Sequence, residues 1–123
     1  MRILLDTHTY LLWLSSELAE IARTKISLAT DVFVSAASIW EASILIHKGK
    51  LDNEIGTLVR AIEQNGFKEL PVTAAHAAMV AHLPDLNDDE FDRILISQAV
   101  CDRLYFFTHD EVLVGYSELV VLI

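Results

Sequence analysis

Cysteine, proline, glycine, basic residues and long apolar runs are all scarce in this chain, and each scarcity removes a class of protein. A single cysteine, Cys101, cannot close an intrachain disulfide, so stability has to come from a packed core, which fits a reducing, cytoplasmic setting. Two prolines and four glycines in 123 residues are too few for a fibrous or low-complexity chain. No apolar run reaches the ~18–20 residues that span a bilayer, so no membrane association is expected. The first segment, MRILLDTHTYLLWL, carries Asp6 and His8 inside its apolar stretch and lacks the small-residue cleavage site of a signal peptide. Nine Lys and Arg stand against eighteen Asp and Glu, a formal net charge of −9. Nonspecific nucleic-acid binding relies on Lys and Arg displacing counterions, so this sign argues against it. It also raises the question whether some of the acids hold a cation.

What the chain has in plenty is apolar side chains, 53% of the total. A chain of this length buries roughly two-thirds of its unfolded surface around one core, so residues 1–123 are expected to form one domain. Short apolar runs at 2–5, 32–34, 104–107 and 119–122 read as strands, and 67–70 reads as a further short strand before Pro71. Helical patterns fill 7–15, 18–29, 36–47, 54–65 (closed by Gly66), 73–82 (capped by Thr73), 90–102 and 110–116. Strands without polar alternation, alternating with helices, predict an α/β fold with a parallel sheet covered on both faces. In such folds ligands bind outside the carboxyl ends of the strands.

Four acids sit where that rule points. Asp6 ends the first strand, and Asp110 follows the fourth in FFTHDEVL; each is also placed to cap the helix after it. Glu41, in SAASIWEASI, fits a capping box with Ser38, but a helix starting at Ser35 puts it well inside, on a small or apolar face with Ala37, Ser38, Ile44 and Leu45. An unpaired Glu there is costly to bury, which favours a chemical role. Asp92, in NDDEFDRILISQAV, shares its face with Leu95, Ile96 and Ala99 while Arg93 points elsewhere; with Asp89 as N-cap it also meets the helix dipole. Asp85, Asp88 and Glu90 read as a solvated rim. Unit charges ~4 Å apart repel by about 4 kcal/mol at an effective dielectric of ~20, so acids gathered this closely must protonate or share a cation. Oxygen-only ligands suit Mg²⁺ or Mn²⁺, which can activate water at a phosphodiester.

These residues resemble the PIN-domain ribonucleases, specifically the VapC-like toxins of toxin–antitoxin pairs. The resemblance runs through LLDTHTYLLWL, VSAASIWEASI, LPVTAAHA, LPDLNDDEFDRILISQA and FFTHDEVLVGY, nearly the full chain. It implies a three-layer α/β/α sandwich around a short, mainly parallel sheet and a Mg²⁺- or Mn²⁺-dependent endoribonuclease. It further implies a homodimer held inactive by a cognate antitoxin. The family's acidic quartet falls on Asp6, Glu41, Asp92 and Asp110, with Thr108 as a supporting hydroxyl and Ser35 a second strand-end hydroxyl. Relatives of this subgroup tend to read HHRDPFDR where this chain reads NDDEFDR. That acidic lead-in would repel RNA phosphates and leaves room for a catalytically weakened module that acts by binding its antitoxin or another partner.

His8, His109 and Arg93 are candidate substrate contacts, and Lys48 and Lys50 the nearest other cations, each with ordinary surface placement as the alternative. His76 and His82 are six apart, not the i,i+4 spacing of a helical metal pair, so zinc is not expected. Trp13 and Trp40 read as core or dimer-interface residues, and Cys101 as an inert buried thiol. A receiver domain or a haloacid-dehalogenase-type phosphatase also places acids at strand ends. The first lacks its Lys in LVVLI, and the second lacks an Asp at position 8.

Overall fold

The first apolar run, Arg2–Leu5 (β1), becomes the middle of the sheet because both its faces are apolar: Ile3 and Leu5 on one, Leu4 on the other, all fully buried. In the computed structural model, which describes residues 1–123, β2 (Asp31–Ser35) and β4 (Tyr105–Thr108) flank it. β3 (Lys68–Leu70) and β5 (Val120–Leu122) form the edges, giving the order β3-β2-β1-β4-β5 with every pairing parallel. The chain moves outward from β1 through β2 to β3, then returns across β1 to β4. The strand order therefore reverses between β1 and β4, the place where parallel sheets open a crevice.

Six α-helices cover the sheet: α1 (Thr7–Leu14), α2 (Glu20–Ser27), α3 (Ala36–His47), α4 (Ile55–Gln64), α5 (Ala74–Met79) and α6 (Glu90–Asp102). Tyr10 of α1, Ala22 and Ile26 of α2 and Ile62 of α4 pack on the face made by Ile3, Leu5, Val32, Val34 and Phe107. Leu95, Ile96 and Ala99 of α6 pack on the opposite face with Leu4, Phe106 and Val120. The result is the expected three-layer α/β/α sandwich. Five consecutive residues of α6, Leu95–Ala99, are buried, so this helix is enclosed on all sides and only its first turn reaches the sheet's carboxyl edge.

Several expectations shift. The second helix is shorter than 18–29, because Ser16 turns the chain at φ 63° and regular structure resumes only at Glu20, although Leu18 is buried. The helix expected through His82 tightens after Met79 into a 3-10 turn, Val80–His82. Residues 111–116 are also 3-10, as suits a short run containing two β-branched residues and a glycine. Trp40 is not a core residue: it is 63% exposed and meets Phe91 edge-on. Cys101 is only half-buried. No helix is long and apolar enough to cross a membrane.

Candidate active site

The register of the central strands builds the site. Leu5 pairs with Phe107, which sets Asp6 beside Thr108 at the sheet's carboxyl edge. Thr108 Oγ1 donates to Asp6 Oδ2 at 2.6 Å, and the Thr9 N–H donates to Asp6 Oδ1 at 2.7 Å. Asp6 therefore caps α1 and lines the crevice at once, so its two readings are compatible. The same Thr108 oxygen accepts the Asp110 N–H at 3.1 Å, while Asp110 Oδ1 caps the following 3-10 helix through the Val112 N–H at 3.0 Å.

Two helices supply the remaining acids. Ser35 caps α3 by accepting the Ala37 N–H at 3.0 Å, which makes Glu41 the sixth residue of the helix and excludes the capping-box geometry. Burial raises the Glu41 carboxyl above the usual range; the nearby Thr7 hydroxyl opposes the shift, and Asp89 and Asp6 add to it. Asp89 caps α6, its Oδ1 accepting the N–H groups of Phe91 and Asp92 at 2.9 and 3.0 Å. Asp92, the third residue of α6, is pushed up to about 7, first by burial and then by the charges of Asp89, Asp6, Glu41 and Asp110.

The pocket so formed has a volume of about 470 Å³ and is lined by Asp6, Thr7, His8, Glu41, Asp89, Asp92, His109 and Asp110. Five carboxylates share it with no Lys, no Arg and no apolar side chain. His8 and His109 meet edge-on, ring centroids 5.8 Å apart, and His109 Nδ1 lies 3.2 Å from Thr9 Oγ1. The donor chemistry fits a hard divalent cation: five carboxylates outnumber the two imidazoles of His8 and His109, and no Lys or Arg balances their charge. As the side chains are placed, no three of them converge closely enough to hold one ion between them.

Some sequence candidates lie elsewhere. Arg93 is outside the acidic pocket: its guanidinium donates to the Pro84 and Val80 carbonyls and to the Tyr116 hydroxyl, with Asp85 3.9 Å away. Ser35 is a fully buried helix cap. Lys48 and Lys50 are exposed beyond the end of α3, Lys50 beside a shallow hollow that His8 shares. Conversely, Asp89 lines the pocket as well as capping α6, and Thr7 lines it too, its Oγ1 donating to Ser38 Oγ at 2.9 Å. The N-cap reading of Asp89 concealed its second role. Next to the acids runs an apolar groove of about 660 Å³ that includes Trp40, Val72, Phe91 and Ile94.

Comparison with known proteins agrees with this geometry. Several solved structures share the fold. One is a chain of a toxin–antitoxin complex from Klebsiella pneumoniae, TM-score 0.68 at 17% identity, covering 97% of this chain and 95% of that one. Another is a chain of FitAcB from Neisseria gonorrhoeae, TM-score 0.66 at 21% identity, covering 98% of this chain and 96% of that one. No curated protein sequence matches the chain. The profile of the PIN domain, whose members are generally nucleases, matches residues 3–118. With acids grouped at the carboxyl edge of a β3-β2-β1-β4-β5 sheet and a match over almost its whole length, this chain belongs to the PIN domain family.

Proposed function

We propose that the chain is a Mg²⁺- or Mn²⁺-dependent endoribonuclease, the toxin of a toxin–antitoxin pair, acting in the cytoplasm as one domain spanning residues 1–123. The observation that carries the nuclease reading is the pocket itself: five carboxylates around one cavity, without any side-chain cation to balance them. Asp6, Glu41, Asp92 and Asp110 would hold the metal. A divalent ion bound there supplies an activated water and neutralises charge on the phosphodiester. The protein's part is placement. Thr108 fixes Asp6 and the Asp110 backbone together, and Thr9 holds both the Asp6 carboxylate and the His109 ring. His8 and His109 stand at the rim, where an RNA strand would pass.

An antitoxin partner is supported by the toxin–antitoxin complex among the structural neighbours. Exposed Trp40 beside the apolar groove is a candidate contact for the homodimer. A second reading, a weakened module acting through its partner, rests on the exposed Asp85, Asp88 and Glu90 rim, which would repel phosphates. Incubating the purified protein with an RNA pool and mapping new ends separates the two. Cleavage with Mg²⁺ or Mn²⁺, lost in EDTA and in Asp6→Asn and Asp92→Asn, is the expected result. Cleavage that survives EDTA and both substitutions overturns the metal mechanism; complex formation with the antitoxin but no cleavage of any RNA supports the second reading.

A further inference from the structure

Asn87 does not line the acidic pocket, yet it makes the one hydrogen bond received by the Asp92 carboxylate, Nδ2 donating to Oδ2 at 3.1 Å. The amide is itself held from behind. Tyr116 donates its hydroxyl to Asn87 Oδ1 at 2.6 Å and accepts the Asn87 backbone N–H at 3.2 Å. Arg93 Nη1 donates to that same hydroxyl at 3.0 Å and to the Pro84 carbonyl at 2.8 Å. A phenol has one proton and two acceptor lone pairs. With Arg93 and the Asn87 N–H filling the acceptor side, the proton goes to Asn87 Oδ1, which turns Nδ2 toward Asp92. The amide orientation is thereby determined by the network around it. Tyr116 is buried, and the Arg93 guanidinium lies 5.8 Å from its ring centroid.

We propose that Asn87 is a positioning residue for Asp92, locked by Tyr116 and Arg93, and that this chain readies the carboxylate for a divalent cation. The inference rests on the metal-dependent reading. A carboxylate facing four others is repelled by all of them and, left free, turns away. Tethering Oδ2 keeps it in place and leaves Oδ1, which makes no hydrogen bond, for the ion. Arg93 is then a strut that bears on Asn87 through the Tyr116 hydroxyl, while its neighbour Asp92 receives the Asn87 amide directly.

Mn²⁺ titration of the full chain by calorimetry, with melting temperatures recorded alongside, tests this. Tyr116→Phe keeps the ring but frees the amide to flip, and Asn87→Ala removes the donor. Each is expected to weaken Mn²⁺ binding by about 10–100-fold while the protein stays folded. Because both act through one chain, the double variant should bind no more weakly than Asn87→Ala alone. Affinities equal to wild type, or losses that simply multiply, overturn the proposal. Should Asn87→Ala fail to fold, Tyr116→Phe decides alone: reduced affinity supports the chain and unchanged affinity refutes it. Wild type that binds no Mn²⁺, or Asp92→Asn that binds as wild type does, sinks the metal reading itself and this inference with it.

Discussion

Replacing Asp92 by Asn should make the metal-free protein more stable at neutral pH while removing a ligand of the proposed cation site. Asp92 is pushed from the ordinary 3.8 up to about 7, a difference equivalent to about 4 kcal/mol against the ionised form. The residue is only half-buried, so water screens much of that, leaving about 2 kcal/mol. An Asn at the third position of α6 forgoes about 0.5 kcal/mol of favourable helix-dipole interaction. The net gain is about 1.5 kcal/mol, or a rise in melting temperature of roughly 5 °C for a domain of this size. Because the folded Asp92 carboxyl keeps its proton to higher pH than the unfolded one, it binds more proton in the native state between about pH 4 and pH 7, and its contribution to wild-type stability falls as pH rises through that window. The advantage of Asp92→Asn is therefore full at pH 8, shrinks on acidification and is nearly gone at about pH 4. Urea unfolding in EDTA at pH 8 and pH 4.5 measures it. Mn²⁺ at about a hundred times its Kd should then stabilise wild type by about 2.7 kcal/mol and the variant far less. A variant less stable than wild type at pH 8, or a gain that does not change with pH, would refute the electrostatic account of the pocket.

Other substitutions probe the supports around that pocket. Thr108→Val removes a 2.6 Å hydrogen bond to the buried Asp6 carboxylate and should cost about 1.5–3 kcal/mol in urea unfolding, with RNA cleavage reduced as well. Tyr10 donates its hydroxyl to the Leu58 carbonyl at 2.7 Å, and burial pushes it up to about 12. Tyr10→Phe should cost about 1–3 kcal/mol by leaving that carbonyl unpaired, and an ultraviolet titration should lose its highest-pH tyrosine step. If the wild-type titration shows no tyrosine ionising near 12, the burial of Tyr10 is misjudged.

The sandwich was legible because its signals are local. Ile3, Leu4 and Leu5 are apolar on successive positions, which only a strand covered on both faces requires, and the apolar interiors of β2 and β4 read the same way, whereas the edge strands β3 and β5 are partly exposed. The exact ends of the 18–29 and 73–82 helices were less legible, since the Ser16 turn and the tightening after Met79 depend on what the chain packs against. Asp6, Glu41, Asp92 and Asp110 stood out for a related reason: a strand end or an inward helix face is a poor place for a lone charge, and the structure brings all four to one pocket.

The sequence by itself thus determined the layer architecture and which acids point toward the sheet's carboxyl edge, because periodicity and strand ends are short-range properties of the chain. Tertiary structure alone decided what surrounds those acids. Asp89 joins them only because the start of α6 meets the β1–β4 crevice. Thr108 finds Asp6 across 102 positions, and Asn87 finds Tyr116 across 29. Arg93, beside Asp92 in sequence, turns away to the Tyr116 hydroxyl and two carbonyls because neighbours on a helix diverge by about 100°. Hydrogen-bond partners brought together by packing leave no periodic trace in the sequence, and in this protein those partners set the orientation of the charges.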